Sequence, residues 1–128
     1  MELSGSVTRE AAVMTGEASY VELGVRDADT ARTFYGRLLG WQVSGESGWG
    51  QVDSSTLSIG IHDGDESSIF EVFFSVDDLD ASLAQVARLG GRVTSAVNES
   101  PGFGRWAECA DDQGVRFGLR EMATATTE

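Results

Sequence analysis

The feature that most constrains the fold of this 128-residue sequence is an internal repeat. The matching positions share a residue type and a shift of 51: Val25 with Val76, Asp27 with Asp78, and Asp29 with Asp80. Each copy predicts a strand, a helix and three further strands. One such unit cannot cover its own sheet, so the two copies are expected to pack together.

Helix and turn signals divide each copy into elements. In the first copy a strand at 19–25 precedes a helix capped by Asp27 and ended by Gly40, because Asp is a strong N-cap and Gly a common C-cap. In the second copy the helix begins at Asp78 and ends at the Gly90–Gly91 pair. The remaining strands are predicted at 41–44, 48–53, 56–62, 69–76, 92–96, 105–110 and 115–120, with a hairpin turn at 111–114.

Charge and cysteine content exclude some classes of function. Asp and Glu total 21 against 9 Lys and Arg, a net charge of −12, which would repel a phosphate backbone and disfavours nucleic-acid binding. The acidity either serves solubility or attracts a cationic ligand. Cys109 is the only cysteine and favours a reducing, cytoplasmic location. No apolar run has the length of a signal peptide or a membrane span, so no membrane partner is expected.

Five stretches carry a resemblance to a known family. They are YVELGVRD at 20–27, ARTFYGRLLGW at 31–41, SVDDLD at 75–80, and GFGR at 102–105 followed by DDQG at 111–114. Together they strongly resemble the vicinal-oxygen-chelate superfamily, which includes glyoxalases, bleomycin-resistance proteins and dioxygenases. Asp112 stands where that family usually has proline. The resemblance runs from about residue 18 to residue 120.

The resemblance implies an α+β fold in which two βαβββ modules form a curved, half-open sheet around a cavity. We expect a single domain at 18–122, with modules at about 18–64 and 67–122. Residues 1–17 are expected to form a flexible N-terminal arm and 123–128 a flexible tail, because both are small, polar and aperiodic.

The family's metal-ligand positions are largely vacant here. They map onto Tyr20 and Glu71 on the first strands, and onto Gly60 and Gly118 on the last strands. A catalytic divalent site needs three or more converging side-chain donors, and only Glu71 is an ordinary ligand. We therefore predict no metal and no cofactor. An alternative remains in which Glu22, His62 and Glu71 converge on a divalent ion.

Side-chain alternation along the strands predicts what lines the cavity. The predicted ligand-binding residues are Tyr20, Glu22, Trp49, Ser58, Gly60, His62, Glu71, Phe73, Trp106, Arg116 and Gly118. Several have structural alternatives: His62 borders a turn and can be exposed, Glu22 can pair with Arg116, and Trp49 or Trp106 can be core or dimer interface. The two glycines either admit a flat ligand or relieve sheet curvature.

The function favoured by these patterns is metal-independent binding of a small organic molecule. The resemblance implies sequestration of an antibiotic or other natural product by a homodimer. The expected ligand is amphipathic or aromatic, and it bears a cation if the acidity of the chain serves to attract it. No catalytic residue is assigned. The first alternative is an enzyme of this fold, a lyase, isomerase or cyclase, using Glu22 or Glu71 as general base or a degenerate metal site. The second is a regulatory module without ligand.

Overall fold

The computed structural model describes residues 15–53 and 57–122. They form two compact units, Ala18–Phe73 and a second unit made of residues 15–17 and 74–122. Most of the predicted N-terminal arm, residues 1–14, and the predicted tail at 123–128 lie outside the described residues. Within the second unit, Gly16 donates a backbone hydrogen bond to Ser75 O, and Ser75 donates one to Glu17 O.

The first unit holds one helix and most of five strands. They are β1 (Ala18–Gly24), α1 (Ala28–Leu39), β2 (Val43–Ser44), β3 (Trp49–Asp53), β4 (Ser58–His62) and β5 (Ile69–Ser75), of which β5 ends in the second unit. The strand order is β2-β3-β4-β1, and β5 lies beside β1. Strands β1 and β4 are parallel, whereas β3 is antiparallel to both β2 and β4.

The predicted limits of α1 are confirmed. The Asp27 carboxylate accepts a hydrogen bond from Thr30 N at 3.0 Å, which satisfies one of the unpaired N–H groups of the first turn. Gly40 ends the helix with φ at 73°, a left-handed conformation that glycine adopts without a steric penalty.

The sheet of the first unit has a helix face and an opposite face. The buried residues of the helix face are Leu23, Ala28, Ala31, Val52 and Ile61. Each large aliphatic side chain buried in this way stabilises the fold by roughly 2 kcal/mol relative to exposure. Because side chains alternate along a strand, the neighbours of Leu23 and Ile61 project from the opposite face.

The second unit repeats the plan with α2 (Leu79–Arg88), β6 (Arg92–Val93), β7 (Asn98–Ser100), β8 (Gly104–Ala110) and β9 (Arg116–Glu121). Strand β8 is antiparallel to β9, β6 and β7. Asp78 caps α2 as predicted, accepting from Ala81 N at 3.1 Å. The helix ends with Leu89 as its C-cap, and Gly90 follows in the left-handed region with φ at 95°.

The structure confirms the predicted α+β class and the paired strand–helix–strand modules. The predicted turn is also present, since the Asp111 carboxylate accepts hydrogen bonds from the backbone of Gln113 and Val115. Strand β7 was not predicted because its three residues are all exposed and give no alternation signal. No helix in the described part of the chain is long and apolar enough to cross a membrane.

Candidate functional site

The face of the first unit opposite α1 carries most of the residues predicted from this half of the sequence. Register places them in rows across β1, β4 and β3: Gly24 with His62 and Trp49, Glu22 with Gly60 and Gln51, and Tyr20 with Ser58. Partners in such rows share one face of a sheet. The structure therefore brings Tyr20, Glu22, His62 and Trp49 to one face of the sheet.

Four polar side chains on this face form a continuous chain of hydrogen bonds, the Tyr20–Asp65 network. The Tyr20 hydroxyl donates to Glu22 Oε1, and Glu22 Oε2 contacts His62 Nδ1. His62 Nε2 contacts Asp65 Oδ2 at 2.8 Å, and Asp65 Oδ1 accepts from Ser67 N at 2.8 Å. Both oxygens of Glu22 and both ring nitrogens of His62 are thus engaged within the network.

Two glycines make room for the network. A Cβ at Gly60 would overlap the Tyr20 hydroxyl and lie 2.6 Å from Glu22 Oε1. A Cβ at Gly24 would overlap Asp65 Oδ2 and lie 2.7 Å from its Cγ. At Gly60 the space left by the missing side chain is therefore taken by Tyr20 and Glu22, which is a third reason for glycine beside the two expected from the sequence.

The network changes the ionisation of two of its members. Burial lowers the pKa of His62, but hydrogen bonds and attraction to Glu22 and Asp65 outweigh burial, so the pKa is raised above its ordinary value of 6.5. Hydrogen bonds from Ser67 and from His62 lower the pKa of Asp65 from 3.8 to about 2. An imidazolium placed between two carboxylates can donate from both nitrogens, which matches the contacts observed.

The aromatic and acidic residues around the network differ in accessibility. Phe73 is buried and packs edge-on against the Tyr20 ring, with the centroids 5.7 Å apart. Glu71 is also buried. The His62 side chain is 42% exposed and Trp49 is 49% exposed, so these two offer the open aromatic surface. His62 is therefore partly exposed beside a turn, as one alternative from the sequence expected, and it is also a member of the network.

The predicted residues of the second unit lie on one face of β8 and β9. Register pairs Gly118 with Glu108 and Trp106 with Arg120. The sequence allowed an ion pair between Glu22 and Arg116. In the structure Arg116 lies 3.7 Å from Glu108, and Glu22 contacts Tyr20 and His62. Glu22 and Arg116 therefore each have a partner within their own unit.

Phe103 anchors the buried guanidinium of Arg120 beside this face. The guanidinium carbon lies 3.9 Å from the Phe103 ring centroid, and Arg120 Nε donates to Phe103 O at 3.0 Å. Trp106 meets the same ring edge-on, at 6.4 Å between centroids. The Phe103 ring therefore connects Trp106 to the cation of Arg120.

The donors present do not fit the divalent metal that the superfamily resemblance implies. Gly60 and Gly118 supply no ligand atom at two of the four positions. In the Tyr20–Asp65 network the two carboxylates flank opposite nitrogens of one imidazole, so they do not converge with it on a point. Within residues 15–53 and 57–122 no group of three or more His, Cys, Asp or Glu side chains is placed to hold a metal ion.

Sequence reasoning missed two residues on the face of the first unit that carries the Tyr20–Asp65 network. Asp65 lies in a turn three residues after His62, and its side chain reaches back to the imidazole. Strand alternation does not extend into a turn, so it did not predict this contact. Gln51 follows from register alone, because β3 pairs Gln51 with Gly60. The short spacing of His62 and Asp65 is the signal that the sequence contained for the first of them.

We expect Gly60→Ala to destabilise the chain by about 1–3 kcal/mol, because the new methyl group overlaps the Tyr20 hydroxyl. Tyr20→Phe removes that oxygen, so the same Gly60→Ala change should cost less in the Tyr20→Phe background, with a coupling of about 1 kcal/mol. Urea denaturation of the four variants measures this cycle. Gly36→Ala is the control, since its Cβ would meet no atom closer than 3.4 Å. Strict additivity of the two changes would contradict the overlap.

The stability of the chain should fall as pH rises through the raised pKa of His62. A group whose folded pKa exceeds its unfolded value contributes its full stability below the unfolded value of 6.5 and loses it above the folded one. His62→Gln should therefore cost about 1 kcal/mol near pH 6 and less at alkaline pH, a small effect because the group is partly exposed. Denaturation of both proteins across pH measures it. An advantage of wild type that grows toward alkaline pH would contradict the ionised network.

Comparison with known proteins identifies the fold and the family. The profile of the glyoxalase-like domain matches residues 20–120. Anthracycline biosynthesis protein DauV of Streptomyces sp. (strain C5) is 31% identical over 86% of this chain and 43% of its own length. CFP32 of Mycobacterium tuberculosis (strain CDC 1551 / Oshkosh), named as a putative glyoxylase, is 39% identical over 42% of this chain and 21% of its own length.

The chain thus spans less than half the length of the curated relatives it matches. Among solved structures, methylmalonyl-CoA epimerase from Mycobacterium tuberculosis has the same fold, with a TM-score of 0.61, 24% identity, and coverage of 88% of this chain and 91% of its own. The chain belongs to the glyoxalase-like domain family of the vicinal-oxygen-chelate superfamily.

Proposed function

We propose that this chain binds a small aromatic or amphipathic organic molecule without a metal ion, at the face of the first unit that carries the Tyr20–Asp65 network. The observation that carries the proposal is that the donors and acceptors of the network bind one another. A carboxylate with both oxygens engaged and an imidazole with both nitrogens engaged form a fixed polar surface. Such a surface orients a ligand without supplying the converging donors of a metal site.

Trp49 supplies the contact area for the ligand. It lies opposite His62 in register, and about half of its surface is exposed. An exposed indole beside a polar cluster suits a flat ring that also carries hydrogen-bonding groups, because aromatic contacts contribute large area at small entropic cost. Gln51, in the next row, adds an amide within the same face.

The class of ligand is supported by charge and by one relative. The net charge of −12 favours a ligand that bears a cation over an anionic one. The name of DauV assigns that relative to anthracycline biosynthesis, so aromatic natural products are the first compounds to screen. We also propose a homodimer and a cytoplasmic location, the latter supported by the single cysteine, since disulfide-rich chains are typical of oxidising compartments.

The expected result of a thermal-shift screen is stabilisation by an aromatic, cation-bearing compound such as an anthracycline, and none by Zn²⁺, Ni²⁺ or Mn²⁺. Trp49→Ala should weaken binding of that compound about tenfold, because it removes the stacking surface. Calorimetric titration measures both affinities.

Phe70→Ala is the matched control for Trp49→Ala. Phe70 is 49% exposed, as is Trp49, but its ring packs against Tyr35 of α1 on the helix side. Equal losses of affinity in the two variants would contradict a site at Trp49. Stabilisation by a divalent metal alone would contradict metal-independent binding.

A second candidate function is an enzyme of the isomerase, lyase or cyclase class, and one observation favours it. The Tyr20–Asp65 network is a continuous path of hydrogen bonds from a half-exposed imidazole to a phenol, which is an arrangement able to move a proton. In that version Tyr20 meets the ligand, and Glu22 and His62 carry the proton to solvent.

Incubation of the bound compound in D₂O distinguishes the two functions. A proton-transfer enzyme would exchange an acidic C–H of the compound for deuterium, and Glu22→Gln would abolish the exchange. Pure binding predicts an unchanged mass spectrum for the compound recovered from wild type.

A further inference from the structure

The outer face of α1 exposes large apolar side chains. Phe34, in the middle of the helix, is 58% exposed, and Leu38, in its last turn, is 63% exposed. An open depression of about 800 Å³ runs along this face, lined by Asp29, Thr30, Thr33, Phe34, Arg37 and Leu38. We call these six residues the α1 patch. Contiguous exposed apolar side chains rimmed by charges are typical of protein interfaces.

The charges of the α1 patch are arranged symmetrically about its centre. Asp29 precedes Thr33 by four residues and Arg37 follows it by four, so the two charges lie about 6 Å along the helix on either side. Residues four apart share a helix face. The patch therefore carries a negative end, a neutral centre with Phe34, and a positive end.

From this symmetry we propose that the α1 patch is the surface on which a second copy of this chain packs. An isologous interface must be complementary to itself. When two α1 helices pack antiparallel about a two-fold axis near Thr33 and Phe34, Asp29 of each copy faces Arg37 of the other. The two Phe34 rings meet close to the axis and bury the exposed apolar surface.

The second helix, α2, can be compared with α1 position by position because the two halves of the sequence repeat. At the positions equivalent to Thr33 and Phe34, α2 carries Ala84 and Gln85. Asp80 bonds Arg105 at 3.0 Å, and Arg88 bonds Gln85 at 2.7 Å. α2 thus carries the same two charges, with the Asp80 side chain 71% exposed, but its centre lacks an aromatic ring.

The charges of α1 remain accessible to a partner. Asp29 bonds Arg32 at 2.7 Å through Oδ1 and accepts a hydrogen bond from Ser47 at 3.5 Å through Oδ2, but its side chain remains 59% exposed. Arg37 is exposed in the last turn. A carboxylate can accept several hydrogen bonds, so the Arg32 contact and an Arg37 contact from a second copy are compatible.

The dimer leaves the proposed ligand site open. Within the first unit, α1 packs on the face of Leu23 and Ile61, whereas the Tyr20–Asp65 network lies on the opposite face. The inference deepens the homodimer named under the proposed function, and it is independent of ligand binding, which Trp49→Ala tests separately. Loss of either property with retention of the other is therefore distinguishable.

Charge reversal tests the pairing directly. Asp29→Arg leaves two positive ends and Arg37→Asp leaves two negative ends, so each variant should repel its own copy. We expect sedimentation velocity at about 100 µM to show a dimer for wild type and monomers for both variants, since a contact built on one helix is at the weak end of specific interfaces. The dissociation constant should rise at least tenfold in each variant.

A mixture of the Asp29→Arg and Arg37→Asp variants tests the pairing most directly. In the mixed dimer the arginine introduced at position 29 faces the aspartate introduced at position 37, and the unchanged Arg37 of one copy faces the unchanged Asp29 of the other. Both charge pairs are then attractive again. An equimolar mixture should therefore sediment as a heterodimer, which a general loss of folding could not produce. Arg88→Asp, at the equivalent position of α2, is the control and should stay dimeric.

Three results would overturn the proposal. They are a monomeric wild type at this concentration, single variants that remain dimeric, and a mixture that stays monomeric while both variants keep the circular dichroism spectrum of wild type. The second result would leave a dimer that uses another surface, and the first would remove the homodimer from the proposed function as well.

Discussion

The carboxylate of Glu22 is the interaction on which the arrangement of the first unit's open face depends. It lies on a strand between neighbouring strands, only partly accessible to water, and a charged group in that position is costly unless it is hydrogen-bonded. Tyr20 and His62 each satisfy one of its oxygens. The imidazole in turn needs Asp65 for its second nitrogen, so one carboxylate fixes the positions of three other side chains.

The backbone is adapted to that carboxylate. Glycine in a strand interior weakens the strand and gains nothing from side-chain packing, yet Gly60 lies inside β4 on this face, and Gly24 ends β1 on the same face. Gly60 admits Tyr20 and Glu22, and Gly24 admits Asp65. The same superfamily scaffold that elsewhere provides ligand positions for a metal here accommodates a proton-bearing network, which illustrates how one fold supports different chemistry.

Sequence reasoning succeeded where local rules decide the outcome. The caps at Asp27 and Asp78, the glycine at position 40 and the turn at 111–114 depend on short-range hydrogen bonds and backbone conformation, and all were predicted. Alternation also placed Tyr20, Glu22 and His62 on one face. The contact between Asp65 and His62 was missed because it depends on how a turn folds back over a strand, which no periodicity reports. Strand β7 was missed because its three residues are all exposed and give no alternation of apolar and polar side chains.

His62 is held between the carboxylates of Glu22 and Asp65, which favour the charged form of its imidazole. Because the sequence has one histidine, its ring signals in a ¹⁵N-detected NMR titration are unambiguous. We expect both ring nitrogens to be protonated below a midpoint that lies above 6.5, and this midpoint to fall toward 6.5 when Glu22 is changed to Gln. A neutral imidazole at pH 7 with a midpoint at or below 6.5 would contradict the network, and with it the polar surface on which the proposed function rests.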